Sequence, residues 1–104
     1  MKLRGMHPEA VEEFREAAGH YERQQSGLGD RFKKAVIEVA DRLQSSTSDG
    51  APWIHKTRIQ TLHKFPYGIV YRDFTDRIYI YAVYHFSRRE DYWVQRLDDV
   101  TENE

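Results

Sequence analysis

The sequence predicts an α+β fold of two layers, in which an antiparallel sheet packs against a helical hairpin. Two observations predict this class. In the first half of the chain, apolar residues recur at steps of three and four, which is typical of amphipathic helices. After residue 57 they recur at every second position, which is typical of strands. The predicted order of elements is β-α-α-β-β-β, followed by a short C-terminal helix.

The first predicted strand and helix lie within residues 2–22. Residues 2–6 (KLRGM) predict a short strand with Leu3 facing the core. The helix should begin at Pro8, because a proline in the first helical position gives up no N–H that the helix needs. One apolar stripe runs along this helix and is formed by Val11, Phe14, Ala17, Ala18 and Tyr21.

A glycine-rich segment, residues 26–30 (SGLGD), separates the first helix from the second. Gly27 and Gly29 can adopt the left-handed conformation that ends a helix, and Asp30 is predicted to cap the next one. The second apolar stripe is formed by Phe32, Ala35, Val36, Val39 and Leu43. Because the connection is short, the two helices should form an antiparallel hairpin.

Three strands are predicted in the second half, at residues 58–62, 67–74 and 77–85, after a polar loop at 45–52. The third strand is apolar on both faces. Strict alternation gives one face of Ile78, Ile80, Ala82 and Tyr84, and an opposite face of Tyr79, Tyr81, Val83 and His85. This pattern predicts a central strand whose second face is covered by a helix or by a partner.

The C-terminal residues complete the predicted domain. Residues 90–100 predict a short helix with Trp93 and Leu97 on one side. A chain of 104 residues has room for one core, so we expect one folded domain at 1–97 and a flexible acidic tail at 98–104.

Composition narrows the function classes. The chain has no cysteine, which excludes disulfides and thiolate zinc sites. No run of residues is long and apolar enough for a membrane span, and we expect a soluble cytoplasmic protein. The net charge of −1 argues against general nucleic-acid binding, although residues 53–96 hold eight basic and four acidic side chains.

Four segments, in this order, carry a resemblance to a known family: residues 27–32 (GLGDRF), 65–72 (FPYGIVYR), 82–85 (AVYH) and 88–93 (RREDYW). With them the chain resembles the RelE/ParE superfamily, and more narrowly its plasmid-stabilisation toxins, over essentially its whole length. The resemblance implies a RelE-like two-layer fold and the small toxin of a type II toxin–antitoxin pair. It also implies an antitoxin partner whose disordered tail wraps the toxin, and no cofactor.

The superfamily divides by mechanism. RelE-like members cleave messenger RNA on the ribosome, whereas ParE-like members poison DNA gyrase. Metal-free RNA cleavage needs a general base, a general acid and clustered cations for the phosphate. By the resemblance, Gly68 stands where the nucleases have an arginine, and Ile59 and Thr61 stand where they have a lysine pair. Arg88 matches a second arginine, and Tyr92 matches the late tyrosine approximately.

Two sets of candidate site residues follow. If the protein is a nuclease, the catalytic residues would be Arg88, His85, Tyr92 and Lys64. If it is a binding module, the partner-binding residues would be Arg58, Tyr79, Tyr81, Arg89 and Trp93. By analogy with gyrase-binding relatives, exposed hairpin residues such as Arg31 or Lys34 would contact the target.

Simpler roles remain open for several of these residues. Arg88 and Arg89 could equally form surface ion pairs with Glu90 or Asp91. His85 is expected to pack beside an aromatic such as Trp93 more often than to act as a base. Because the histidines lack metal-ligand spacing, no metal site is predicted.

The sequence favours a ParE-like toxin that inhibits gyrase and is neutralised by its antitoxin. A RelE-like endonuclease and a non-toxic descendant of the fold stay open as alternatives. The oligomeric state is also open, between a monomer, a dimer and a hetero-oligomer with the antitoxin.

Overall fold

The computed structural model describes residues 1–99, which form a five-stranded sheet packed against two helices. The predicted α+β class and the two-layer arrangement are confirmed. The elements in chain order are β1 (Leu3–Met6), α1 (Pro8–Gln24), α2 (Leu28–Ser45), β2 (Ala51–Pro52), β3 (Arg58–Thr61), β4 (Tyr67–Asp73) and β5 (Arg77–His85), followed by a 3₁₀ helix (Val94–Asp99).

The sheet has the strand order β1-β5-β4-β3-β2, with β1 parallel to β5 and the other neighbours antiparallel. The helical hairpin connects β1 to the rest of the sheet and covers one face. Strand β2 lies in the segment for which the sequence predicted a loop. It pairs only two residues with β3, which is too short for any alternation to be visible in the sequence.

The N-termini of both helices are satisfied by side chains. Helix α1 begins at Pro8 as predicted, and His7 Nδ1 accepts a hydrogen bond from the Glu9 N–H at 3.1 Å. Helix α2 begins earlier than predicted, at Leu28, with Gly27 before it at φ 87°. Asp30 therefore lies inside the first turn and is not its cap. The carboxylate of Glu22 instead accepts hydrogen bonds from the Gly27 and Gly29 N–H groups.

The first core cluster lies between the helices and the sheet. Its large members are Phe32, Leu43, Ile69, Tyr71, Ile78, Ile80 and Val83. Leu3 is 68% exposed, so the prediction that it faces the core was wrong. Met6 packs against this cluster instead. Because side chains alternate along a strand, Leu3 and Met6 point to opposite faces of the sheet.

A β-bulge in β5 breaks the predicted alternation. Val70 pairs with Ala82, but the next residue of β4, Tyr71, pairs with Ile80, so Tyr81 is the extra residue. Tyr81 and Ala82 consequently both belong to the second core cluster, on the face away from the helices. The predicted faces were wrong from Ala82 onward, because one inserted residue exchanges the faces of all residues after it.

The chain itself covers the second face of the sheet. Trp93 is fully buried there, and its indole N–H donates to the Glu90 carbonyl at 2.8 Å. The residues packed around this second cluster are Trp53, Ile54, Tyr79, Tyr92, Val94 and Leu97. The predicted cover is thus supplied by the C-terminal segment, as a 3₁₀ helix, and by the residues before β3.

The predicted acidic tail begins inside this segment. Asp98 and Asp99 are the last residues of the 3₁₀ helix, and residues 100–104 lie outside the described part of the chain. Among residues 1–99, neither helix has the length and apolar character needed to cross a lipid bilayer.

Candidate functional site

One edge of β5 is completed by side chains and not by a strand. Strand β1 pairs with β5 only as far as Ile80. Beyond that point, the Tyr81 carbonyl accepts a hydrogen bond from Arg96 Nη1 at 2.9 Å, and the Val83 N–H donates to Glu13 Oε1 at 3.0 Å. Buried backbone groups need partners, and here α1 and the C-terminal 3₁₀ helix supply them.

Glu13 is the centre of this edge, a rim formed by Glu13, Arg88, Tyr92 and Arg96. Its Oε1 and Oε2 atoms accept hydrogen bonds from Arg96 Nη1 at 3.0 Å and Nη2 at 2.8 Å, a bidentate ion pair. Oε2 also accepts from the Tyr92 hydroxyl at 2.7 Å and from Arg88 Nη1 at 3.3 Å. One carboxylate, with its side chain 12% exposed, therefore binds two arginines and a tyrosine.

Burial and these contacts set the protonation of the rim. Burial raises the pKa of Tyr92, and its hydrogen bond to Glu13 raises the pKa further. Burial alone would lower the pKa of Arg96, but its hydrogen bond to Glu13 outweighs burial and the pKa is raised. The Arg88 guanidinium lies over the Tyr92 ring at 3.6 Å from its centroid. Tyr92 is therefore neutral and Arg96 charged at physiological pH.

His85 lies at the same rim but packs differently from the prediction. Its ring meets that of Tyr67 edge-on, with centroids 4.8 Å apart, and its Nδ1 lies 2.7 Å from Ser87 Oγ. Trp93 was the expected neighbour, but it is buried in the cluster on the opposite face of the sheet. The face of His85 was reversed by the bulge at Tyr81.

A small cleft of about 200 Å³ opens beside these residues. It is lined by Glu13, Glu16, Ala17, His20, Tyr67, Val83, His85 and Arg88. Two carboxylates and one arginine line it, so it is not a cationic hollow. Among residues 1–99, no three His, Asp or Glu side chains are grouped as metal ligands would be.

The structure brings together three of the four catalytic candidates. Arg88, His85 and Tyr92 lie at the rim, but Lys64 lines a different cleft beside Arg31. Gly68 lies in β4, where an added Cβ would be 2.9 Å from the Ile59 side chain. A larger residue at this position would therefore require the Ile59 side chain to shift.

The partner-binding candidates do not form one surface. Tyr81 and Trp93 are fully buried, so the prediction that they bind a partner is corrected. The bulge turns the Tyr81 side chain into the second cluster, and Trp93 packs in the same cluster. Tyr79 is half-buried against Tyr81, and Arg58 Nη1 donates to the Gly50 carbonyl at 2.7 Å. Arg89 is exposed and forms an ion pair with Asp91 at 3.2 Å.

Sequence reasoning missed Glu13 and Arg96. Arg96 follows Glu13 by 83 residues, and no local pattern connects them. One signal did exist for Glu13, because it lies three residues after Ala10 and four before Ala17, and both alanines are buried. A carboxylate at that spacing faces the sheet and needs a buried partner.

Comparison with known proteins identifies the family to which the chain belongs. Residues 6–92 match the family model described as "ParE toxin of type II toxin-antitoxin system, parDE". A solved structure, "Chromosomal ParDE TA system from P. aeruginosa", superposes with a TM-score of 0.70 at 19% identity, covering 82% of this chain and 96% of that one. No curated protein sequence matched the chain. Because the family model spans most of its length, the chain belongs to the ParE toxin family of type II toxin–antitoxin systems.

Proposed function

We propose that this toxin acts by binding and inhibiting a macromolecular target, DNA gyrase, and not by cleaving RNA. The observation that carries the proposal is the position of Glu13. Its carboxylate contacts Arg88 and Tyr92, the two residues that the resemblance matches to nuclease residues, and also Arg96.

A carboxylate in this position opposes phosphodiester cleavage in two ways. It neutralises cations that would otherwise stabilise the pentavalent phosphate, and it repels a phosphate that approaches Arg88. Burial, followed by the hydrogen bond to Glu13, raises the pKa of Tyr92, so this phenol stays protonated and cannot act as a base near neutral pH. Lys64 is not at this rim, so it offers no replacement cation.

The outer face of α2 suits contact with a protein target. Lys34 and Ile37 are exposed on it one turn apart, and Ile37 is 46% exposed, although it is a large apolar side chain. Arg31 precedes Lys34 by three residues and is also exposed. A cationic patch with one exposed apolar residue is a reasonable surface for an acidic protein partner.

The antitoxin is proposed as the second partner, since the matching structure from P. aeruginosa is described as a ParDE toxin–antitoxin system. Arg89 is exposed next to the rim and is the candidate contact there, and the partly buried residues Arg58 and Tyr79 are further candidates. Both partners act inside the cell, so the proposed location is the cytoplasm. We further propose that residues 1–97 are the toxin domain and residues 98–104 an acidic extension.

A gyrase supercoiling assay with the purified toxin tests the proposal. We expect inhibition that is relieved by stoichiometric antitoxin and weakened by Lys34→Glu. The matched control is Glu12→Lys on the exposed surface of α1, which should leave inhibition unchanged. Full supercoiling activity at an excess of folded toxin would overturn the gyrase assignment, and unaffected growth on induced expression would favour a non-toxic descendant.

A further inference from the structure

A second cleft lies at the opposite end of the sheet from Glu13, and of its lining residues only Arg58 is proposed above as an antitoxin contact. Pairing between β3 and β4 begins at Arg58 and Tyr71, and the cleft lies just beyond this pair. Its volume is about 480 Å³, which is within the range of small-ligand sites. The lining residues are Pro52, Trp53, Lys56, Thr57, Arg58, Arg72, Asp73 and Phe74.

The lining of this cleft is cationic. Lys56, Arg58 and Arg72 contribute three positive charges, and the carboxylate of Asp73 already forms an ion pair with Lys2. The two guanidinium groups are positioned by backbone carbonyls, Arg58 by that of Gly50 and Arg72 by that of His55, each at 2.7 Å. A carbonyl fixes the orientation of an arginine without cancelling its charge, so Arg58 and Lys56 keep their part of the cleft wall positive.

The turn that carries Lys56 has a strained backbone. His55 and Lys56 both have left-handed φ angles, 57° and 63°, and the Thr57 N–H donates back to the Ile54 carbonyl at 3.3 Å. A tight turn with two consecutive positive φ angles is normally built from Asn and Gly. Side chains that are kept in spite of such strain are often functional, and this turn places Lys56 in the cleft wall.

The cleft wall also contains a polar group without a partner. The indole N–H of Trp53 is buried and has no acceptor among residues 1–99. Buried polar groups are nearly always hydrogen-bonded, so an unpaired one calls for an explanation such as a bound ligand. Because Trp53 lines the cleft, its indole N–H is the natural reporter of a ligand bound there.

We propose that this cleft binds a phosphate group, provided by a nucleotide or by the backbone of a nucleic acid. A phosphate group carries more charge and more acceptor oxygens than a carboxylate, which matches a wall that contains the cations Lys56 and Arg58. Guanidinium groups with fixed orientation are well suited to phosphate oxygens. The inference does not depend on gyrase being the target.

The two tryptophans allow a direct test by NMR. The ¹⁵N-labelled full chain is titrated with inorganic pyrophosphate while both indole N–H resonances are followed. We expect saturable shifts of the Trp53 indole and the Lys56 amide. The Trp93 indole, which is bound to the Glu90 carbonyl, should not move and reports that the fold is intact. Shifts that do not saturate, or that affect Trp93 equally, would overturn the proposal.

Three further ligands separate the sources of the anion. A nucleoside triphosphate that binds more tightly than pyrophosphate would assign a nucleotide, whereas tighter, salt-dependent binding of a short DNA duplex would assign a polynucleotide. Both outcomes support a phosphate site. Saturable binding of an oligoglutamate peptide alone, with no response to the phosphate ligands, would overturn it.

A charge reversal tests whether the cleft itself is the site. Lys56→Glu should weaken pyrophosphate binding by roughly tenfold, because an attraction to phosphate becomes a repulsion. The control is Lys33→Glu, which makes the same charge change at an exposed position of α2 and should alter the affinity by less than about twofold. Equal loss in both variants would indicate non-specific attraction and contradict a built site.

Discussion

Glu13 and Arg96 form a bidentate ion pair, at 3.0 and 2.8 Å, that joins the first helix to the C-terminal segment. The Arg96 side chain is 8% exposed and that of Glu13 12%. Arg96 also donates to the Tyr81 carbonyl at the bulge of β5. The same contact therefore closes the edge of the sheet, holds the cover over its second face, and places a carboxylate beside Arg88 and Tyr92.

Removing the carboxylate should destabilise the fold strongly. Glu13→Ala leaves Arg96 buried without its counter-ion, and we expect a loss of about 3 kcal/mol in the free energy of unfolding. Urea denaturation measures it. Glu12→Ala removes a neighbouring carboxylate whose ion pair with Arg15 is exposed, and it should cost less than about 1 kcal/mol. Similar losses in the two variants would show that the rim pair is not structural.

Tyr92 should make stability depend on pH in the alkaline range. Burial, followed by the hydrogen bond to Glu13, raises the pKa of Tyr92 above its ordinary value of 10.0. The folded chain thus holds this proton more tightly than the unfolded chain, so the contribution is complete below about pH 10 and is lost as the pH rises further.

The variant Tyr92→Phe isolates this contribution. Between about pH 9 and 11, the free energy of unfolding should fall more steeply for the wild type than for the variant. Burial also raises the pKa of Tyr21, Tyr67, Tyr71 and Tyr79, but these remain in both proteins and cancel in the difference. Parallel pH profiles of the two proteins would contradict the raised pKa.

Glycine at the strained turn should stabilise the protein. Lys56→Gly relieves a left-handed φ of 63°, and we expect a gain of about 1 kcal/mol by thermal denaturation. Lys33→Gly is the matched change in the interior of α2, where glycine costs about 1 kcal/mol. A destabilised Lys56→Gly variant would show that the turn is not strained. The gain should come with weaker pyrophosphate binding, because the cleft loses one cation.

A side chain added at Gly68 should meet Ile59 on the neighbouring strand. An added Cβ would lie 2.9 Å from Ile59, so we expect Gly68→Ala to lose about 1–2 kcal/mol through overpacking. Combining it with Ile59→Val, which shortens the side chain in contact, should cost less than the sum of the two single changes. The losses are measured by urea denaturation. Additive losses would show that the contact between residues 59 and 68 does not cause the destabilisation.

Local patterns in the sequence predicted the elements well. The bounds of β5, residues 77–85, and the start of α1 at Pro8 agree with the structure because alternation and proline act within a few residues. Contacts across the chain were not predictable in this way. The bulge at Tyr81 depends on pairing with β4, and so it reversed the predicted face of His85.

The candidate site was predicted only in part, for a related reason. Arg88 and Tyr92 were named from the resemblance and His85 as the end of the last strand, and residue order alone brings the three close. Glu13 lies on a helix with many acidic residues, and only the fold distinguishes it from the exposed ones. The burial of Trp93 likewise depends on the path of the chain after β5, which the local pattern does not determine.

Ribosome-dependent cleavage of messenger RNA tests the central claim most directly. The wild-type toxin is added to ribosomes stalled on a defined message, at a concentration that inhibits supercoiling by gyrase, and the message is mapped by primer extension. We expect no cut in the A-site codon, because Glu13 neutralises Arg88 and Arg96 and holds the Tyr92 proton. Efficient cutting at that codon would contradict this account.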